Sequence, residues 1–208
     1  MADILRRKLG FEQIHSDAGV YVLCRRGGNQ TEIILILYVD NLVLMGNDLS
    51  MINKIKKKLG KAYHMKDLGS AQSYLGIRIT RDRAHRRIWI DQEAYIDSTL
   101  SWFHLMDANN TKTPLPAGVH LTKSETPSST NLRTKYQQLI GTLLYAALGI
   151  RLDIAFAVTQ LSRFNSDPTE EHLRYAKYVL RYLKGTKSLQ ICYDRSSNTS
   201  LIGYSDSD

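Results

Sequence analysis

The sequence predicts an α+β fold in which antiparallel hairpins come first and helices follow. Short runs rich in Val, Ile, Leu and Tyr, separated by turn residues, occupy about the first 90 positions. Beyond position 131, apolar residues recur every three or four positions, which is the period of a helix. A polar stretch that contains three prolines, at 107–131, separates these two regions and reads as a linker.

The first elements are strands joined by tight turns. Two apolar runs, 19–25 and 31–39, are followed by a third run at 42–45. Because only two residues separate the second run from the third, Asp40 and Asn41 are predicted to form the tip of a tight hairpin. Both residue types tolerate a positive φ, which such tips require.

A helix is predicted next, with Asn47 or Asp48 as its cap. Its apolar face is formed by four residues at helical spacing: Ile52, Ile55, Leu59 and Tyr63. Its opposite face carries four lysines: Lys54, Lys57, Lys58 and Lys61. These lysines suit a solvated surface or contact with phosphate, and the solvated surface is the commoner case.

A second hairpin and a second helix precede the linker. Residues 74–81 and 87–91 alternate as two strands, joined by the basic loop 82–86. Residues 92–103 then have helical spacing, carried by three apolar side chains: Ile96, Leu100 and Phe103.

Three helices and then two short strands, at 189–193 and 201–204, are predicted beyond the linker, and the third helix carries a distinctive surface. Apolar stripes mark the first two: Tyr136, Ile140, Leu143 and Ala147, then Ile154, Val158 and Leu161. The third begins near Pro168 and runs to about Lys184. One of its faces is basic, with Arg174, Lys177, Arg181 and Lys184, and a tyrosine stripe lies beside it, with Tyr175, Tyr178 and Tyr182. Such tyrosines stack on bases or, more often, widen the buried face.

Composition and charge favour a polyanionic partner. The net charge is +8, which favours nucleic acid first and an anionic membrane surface second. No apolar run approaches the roughly 20 residues of a membrane span, and no apolar signal core follows the N-terminus. Cys24 and Cys192 suit reduced thiols in a cytoplasmic or nuclear protein. No phosphate-binding or dinucleotide motif occurs, so no small-molecule cofactor is expected.

Eight segments, in order along the chain, resemble the reverse transcriptase of copia-type LTR retrotransposons. They are YVDN at 38–41, KDLG at 66–69, YLGI at 74–77, DQEAYI at 91–96, QLIGTLLY at 138–145, RLDIA at 151–155, LSRF at 161–164 and VLRYLKGT at 179–186. No single tetrapeptide is decisive, but the ordered series is specific and covers nearly the whole chain.

The resemblance implies roles for individual residues. Positions 38–41 match the palm motif that normally reads Tyr-Val-Asp-Asp, so Asp40 stands at a metal-binding aspartate and Asn41 replaces the second acid. The primer grip, which holds the primer end, corresponds to Tyr74, Leu75, Gly76 and Ile77. Asp206 corresponds to the first metal-binding carboxylate of RNase H. The implied metal is Mg²⁺ or Mn²⁺, and the implied partners are an RNA/DNA template-primer and the rest of the retroelement polyprotein.

The resemblance also implies a domain plan. Residues 1–90 correspond to the C-terminal half of the palm sheet, 91–106 to a thumb-like helix, and 107–131 to the polar linker. Residues 132–187 correspond to a helical thumb and connection region, and 188–208 to a short β stub that opens RNase H. On this plan the fingers and another palm aspartate lie upstream of the chain.

Three functions follow from these observations. Two-ion phosphoryl transfer needs a cluster of carboxylates, and one of three polymerase carboxylates is expected here, so the first hypothesis is a reverse transcriptase fragment that is inactive alone. The second is a non-catalytic nucleic-acid-binding protein that uses the basic helix. The third is a protein-interaction module, because a partial palm leaves strand edges unpaired.

Overall fold

The α+β class predicted from the sequence is confirmed in a computed structural model that describes residues 2–25, 31–123 and 126–195. These residues contain two four-stranded antiparallel sheets and five α-helices. The chain divides into two compact units, a sheet unit, Met1–Ala71, and a helical unit, Gln72–Asp208. The predicted strand at 201–204 and Asp206 lie outside the described residues.

The sheet unit is a four-stranded sheet with one helix. A short π-helix, Ile4–Lys8, precedes strands β1 (Glu12–Gln13), β2 (Val20–Arg25), β3 (Thr31–Tyr38) and β4 (Asn41–Gly46), and helix α1 (Leu49–Ala62) follows. The strands lie in chain order, so β1 and β4 are the sheet edges among the described residues. The π-helix has no counterpart in the sequence prediction.

One face of this sheet is buried against α1. Alternate residues of β3, Ile33 and Leu35, are fully buried with Ile55 and Leu59 of α1. Asp48 caps α1, as predicted, because its Oδ1 accepts a hydrogen bond from the amide of Met51 at 3.0 Å. The predicted division of α1 into apolar and lysine faces is confirmed.

The helical unit combines a second sheet with four helices. Its strands are β5 (Ser73–Tyr74), β6 (Ile77–Asp82), β7 (Arg87–Asp91) and β8 (Ile191–Asp194), in that order across the sheet. Its helices are α2 (Glu93–Trp102), α3 (Thr130–Gly149), α4 (Ala155–Ser162) and α5 (Glu170–Gly185), with a 3₁₀ turn at Leu152–Ile154. The continuous strand predicted at 74–81 is wrong, because a two-residue turn at Leu75 and Gly76 divides it.

The core of the helical unit lies between α2, α3, α4 and α5. Every residue of the two predicted apolar stripes is buried there, and these stripes lie in α3 and in the 3₁₀ turn with α4. The hydroxyl of Tyr136 is satisfied inside this core, since it donates to the carbonyl of Leu161 at 2.7 Å. Burial raises the pKa of Tyr136, so this side chain stays a neutral donor.

The described part of the predicted linker that precedes α3 is irregular but packed. Leu115 and Leu121 lie against the helical core. The division between compact units falls at residue 71, not in this segment. The assignment of palm, linker and thumb to particular ranges stays a prediction.

The last described strand joins the same sheet as the second hairpin. β8 pairs with β7, and Asp194 accepts a hydrogen bond from Nε of Arg87 at 2.7 Å. Strand formation near the predicted range 189–193 is confirmed, although β8 begins two residues later and ends one residue later. Its assignment to RNase H stays a prediction.

Candidate active-site hairpin and basic cleft

The tip of the β3–β4 hairpin consists of Val39 and Asp40, which corrects the prediction of Asp40 and Asn41. Tyr38 pairs with Asn41, so Asn41 is the first residue of β4. The positive φ, +53°, belongs to Val39, whose β-branched side chain is unfavourable there.

Side-chain pairing explains this turn. The observed register sets Leu37 opposite Leu42 and Leu35 opposite Leu44, all on the helix-facing side of the sheet. It also sets Gly46 opposite Ile33, whose side chain fills the space that a Cβ at Gly46 would need. A tip one residue later would place Leu35 opposite Gly46 and lose this packing. The leucine contacts therefore offset the strain at Val39.

Asp40 presents an exposed carboxylate at the hairpin tip. It makes no hydrogen bond or ion pair with any residue that the structure describes. Asn41, also exposed, follows on β4, the edge strand of the described sheet. The carboxylate is therefore accessible, and the neighbouring strand edge is available for pairing.

The described residues do not fit a two-ion metal centre. A divalent pair needs several oxygen ligands, of which carboxylates contribute most of the charge. Within residues 2–25, 31–123 and 126–195, no group of three or more His, Cys, Asp or Glu side chains converges. Asp40 supplies one carboxylate and Asn41 at most an uncharged carbonyl oxygen.

The predicted primer-grip residues form a tight hairpin that is held by two tyrosines. Leu75 and Gly76 form its turn, with φ of +48° and +73°. The hydroxyl of Tyr145, on α3, donates to the carbonyl of Leu75. The ring of Tyr145 lies 4.9 Å from that of Tyr95, on α2, and both rings approach Gly76. The hairpin is therefore fixed to two helices of its own unit.

The structure divides the predicted basic face of α5. Lys177 is exposed, and Arg174 pairs with Glu171 at 2.8 Å. Arg181 and Lys184 instead donate to the carbonyls of Asn109 and Ala108, at 2.6 and 2.8 Å. Two of the four predicted phosphate-binding cations therefore also hold the irregular segment before α3.

The tyrosine stripe on α5 belongs mainly to the core. Tyr175 and Tyr182 pack against the buried helical cluster. The hydroxyl of Tyr182 also donates to Oδ2 of Asp153 at 2.9 Å. These two tyrosines therefore widen the buried face, which was the commoner of the two interpretations.

A buried arginine network was not predicted as a site. Arg151, 2% exposed, binds both oxygens of Asp153 at 2.9 and 2.7 Å and donates to the backbone and side chain of Thr186. Burial opposes ionisation of Asp153, but hydrogen bonds from Arg151 and Tyr182 hold its pKa below the ordinary value. The RLDIA motif contains both Arg151 and Asp153. Their partners Tyr182 and Thr186 lie 29 and 35 residues away in the sequence, so the motif alone does not reveal the network.

Comparison with known proteins identifies the family of this chain. Residues 1–117 match the family described as reverse transcriptase (RNA-dependent DNA polymerase). That match, over more than half of the chain, places the chain in a family of polymerases. The relatives narrow the class, and the chain belongs to the copia-type reverse transcriptases of retrotransposons.

The relatives are mostly much longer than this chain. It is 37% identical, over 99% of its length, to the retrovirus-related Pol polyprotein from transposon TNT 1-94 of Nicotiana tabacum. It is 32% identical, over 96% of its length, to a transposon Ty5-1 protein of Saccharomyces cerevisiae and to the Pol polyprotein from transposon RE1 of Arabidopsis thaliana. The chain spans 16%, 63% and 13% of these three relatives.

No solved structure matched the chain. Across the described residues, the helices are too short or too polar to cross a membrane.

Proposed function

We propose that this reverse transcriptase segment contributes Asp40 to a polymerase site whose other carboxylates come from outside the described residues. The observation that carries the proposal is the exposed Asp40 carboxylate at a strained hairpin tip. A residue held in a rarely populated backbone conformation is a frequent feature of functional sites. On this proposal the chain does not extend a primer alone.

The edge of β4 is the place where a further strand would complete the site. A strand that pairs along Asn41–Gly46 satisfies the open backbone groups of this edge. A carboxylate on that strand, opposite the tip, would lie beside Asp40. The rest of a retroelement polyprotein is the proposed source, and an RNA/DNA template-primer is the proposed substrate.

The docked β5–β6 turn is proposed to be the primer grip. Its support by Tyr145 and Tyr95 gives the rigidity that positioning of a primer end requires. Tyr74, Leu75, Gly76 and Ile77 carry this role on the resemblance alone. The RNase H role of Asp206 is likewise a proposal.

Primer extension tests the proposed function in two settings. The isolated chain, with a primed RNA template, deoxynucleotides and Mn²⁺, is expected to give no extension above an Asp40→Ala variant. The second setting replaces the matching segment of the tobacco polyprotein with this chain, carrying Asn41→Asp to restore the second acid. This chimera is expected to extend the primer, and Asp40→Ala is expected to reduce extension to background.

Asp107→Ala is the matched control in the chimera. Asp107 is exposed on the irregular segment, so its loss removes an equal charge without touching the hairpin. Extension by the isolated chain that depends on Asp40 would contradict the proposed incompleteness. An active chimera that is indifferent to Asp40→Ala would contradict the catalytic assignment.

A non-catalytic nucleic-acid-binding function is the second candidate. The net charge of +8 and the cations of α5 favour it. This candidate requires that the chain binds nucleic acid in the absence of metal. It also requires that changes in the β3–β4 hairpin do not alter that binding.

A further inference from the structure

The basic face of α5 borders a cleft in the helical unit. The cleft has a volume of about 490 Å³. One wall is the irregular segment after α2, with Leu105, Ala108 and Asn109. The other wall is α5, which contributes Leu173 and the three cations Arg174, Lys177 and Arg181.

Hydrogen bonds hold this cleft in shape. Arg181 and Lys184 donate to backbone carbonyls at positions 109 and 108, and the hydroxyl of Thr111 donates to the carbonyl of Tyr178 at 3.4 Å. These bonds join segments about 70 residues apart in sequence. The irregular segment is therefore fixed along α5, and a ligand meets a preformed site.

Cationic groups remain available at the cleft. Lys177 has no partner among the described residues. Arg181 donates to Asn109 through Nε alone, which leaves its two terminal amino groups for another acceptor. Arg174 uses one amino group for Glu171. Glu170, at the same cleft, reduces but does not cancel this positive charge.

The size and lining of the cleft select among polyanions. Its volume lies within the roughly 300–1,000 Å³ of small-molecule pockets and suits one nucleotide unit, whose base is free to contact the lining only when the strand is unpaired. Leu105 and Leu173 supply apolar surface for a ribose or a base, and the cations lie where a phosphate would bind. A nucleotide unit has both properties.

We propose that this cleft binds a single strand of nucleic acid, about one nucleotide deep, with its phosphate on Lys177 and Arg181. The inference rests on the proposed function for its ligand class, since a polymerase handles unpaired template. It assigns to α5 a contact with the unpaired strand and not with the duplex.

Salt-dependent binding of labelled oligonucleotides tests the proposal. Anisotropy of a single strand and of its duplex is measured with the full chain, without divalent metal, between about 50 and 200 mM salt. Each phosphate contact on a single strand contributes about 0.7 to the slope of log affinity against log salt. Lys177→Gln is therefore expected to lower the single-strand slope by about 0.7 and to leave the duplex slope unchanged.

Two variants serve as controls. Lys57→Gln removes an exposed lysine of α1 in the sheet unit, and no change in slope is expected. Lys177→Arg keeps the charge, and it is expected to retain the wild-type slope. An unchanged melting temperature in each variant shows that folding is intact.

Three results would overturn the proposal. The first is an unchanged single-strand salt slope in Lys177→Gln. The second is a decrease of the single-strand slope in Lys57→Gln as large as that in Lys177→Gln. The third is a decrease of the duplex slope in Lys177→Gln as large as that of the single-strand slope. Displacement of the oligonucleotide by inorganic phosphate at equal phosphate concentration would also overturn it, because the cleft would then be a simple anion site. The assay needs neither metal nor Asp40, so its failure is distinct from failure of primer extension.

Discussion

Two hairpin turns of this protein, those of β3–β4 and β5–β6, have the same length and similar backbone strain, but different surroundings. Val39 begins one turn with φ of +53°, and Leu75 begins the other with φ of +48°. Val39 is 79% exposed, whereas the carbonyl of Leu75 accepts a hydrogen bond from Tyr145. Tertiary contacts therefore stabilise the β5–β6 turn, here called the docked turn. The β3–β4 turn, here called the bare turn, depends on the leucine register of its own sheet. The bare turn carries Asp40.

The largest expected effect comes from the core beneath the docked turn. Leu143→Ala, in α3, removes a fully buried side chain and is expected to lower the free energy of unfolding by about 3 kcal/mol. Leu148→Ala, in the same helix but 82% exposed, is expected to cost less than about 0.5 kcal/mol. Urea unfolding measures both. Equal losses would contradict the packing that supports the docked turn.

A substitution at the bare turn is expected to stabilise the protein. Asn tolerates a positive φ far better than a β-branched residue, so Val39→Asn is expected to add about 1 kcal/mol to the free energy of unfolding. Leu75→Asn relieves the same strain but loses the contacts of a half-buried side chain, so no gain is expected. Urea unfolding again measures both variants. A loss of stability in Val39→Asn would show that the turn is not strained.

The hydrogen bond to the docked turn has a smaller expected effect. Tyr145→Phe keeps the ring contact with Tyr95 and removes the donation to Leu75, for an expected loss of about 0.5 kcal/mol. Tyr193→Phe removes an exposed hydroxyl and serves as the control. Hydrogen exchange at Gly76 should rise only in the first variant. Unchanged exchange would mean that Tyr145 does not hold the turn.

The smallest expected effect is a dependence on pH in the helical unit. His172 is buried, and its Nδ1 accepts a hydrogen bond from the amide of Thr169, which caps α5. Burial holds the pKa of His172 below its ordinary value of 6.5. Its contribution to stability is therefore complete above pH 6.5 and declines as the pH falls from there toward the lowered pKa.

His172→Gln tests this pH dependence. The variant has no group that titrates at this position, so the free energy of unfolding should change less between pH 7 and pH 5 than in the wild type. Urea unfolding at several pH values measures the difference. Identical pH profiles would exclude His172 as the cause.

Local patterns predicted the elements well, because alternation and helical spacing are local properties. The faces of α1 and α5, the cap at Asp48 and the buried stripes of α3 could all be predicted this way. The turn residues could not, since the pairing of Leu35 with Leu44 outweighs the preference of Val39 for negative φ.

Contacts between distant segments were beyond the sequence patterns. Helical spacing placed Arg181 on a basic face, but its bond to Asn109, 72 residues away, depends on the packed tertiary structure. The pairing of β8 with β7 is of the same kind. The cleft follows from such contacts, so it appears only in the structure.

The central claim is that the β3–β4 turn supplies one charged ligand of a metal site, Asp40, and that the uncharged Asn41 cannot replace the second carboxylate. Mn²⁺ titration of the wild type, Asp40→Asn and Asn41→Asp tests it most directly, with amide line broadening at positions 38–42 as the readout. Charge count governs divalent affinity, so Asn41→Asp should bind at least about tenfold more tightly than the wild type, and Asp40→Asn should bind most weakly. Equal affinity in all three, or tight saturable binding by the wild type, would contradict the claim.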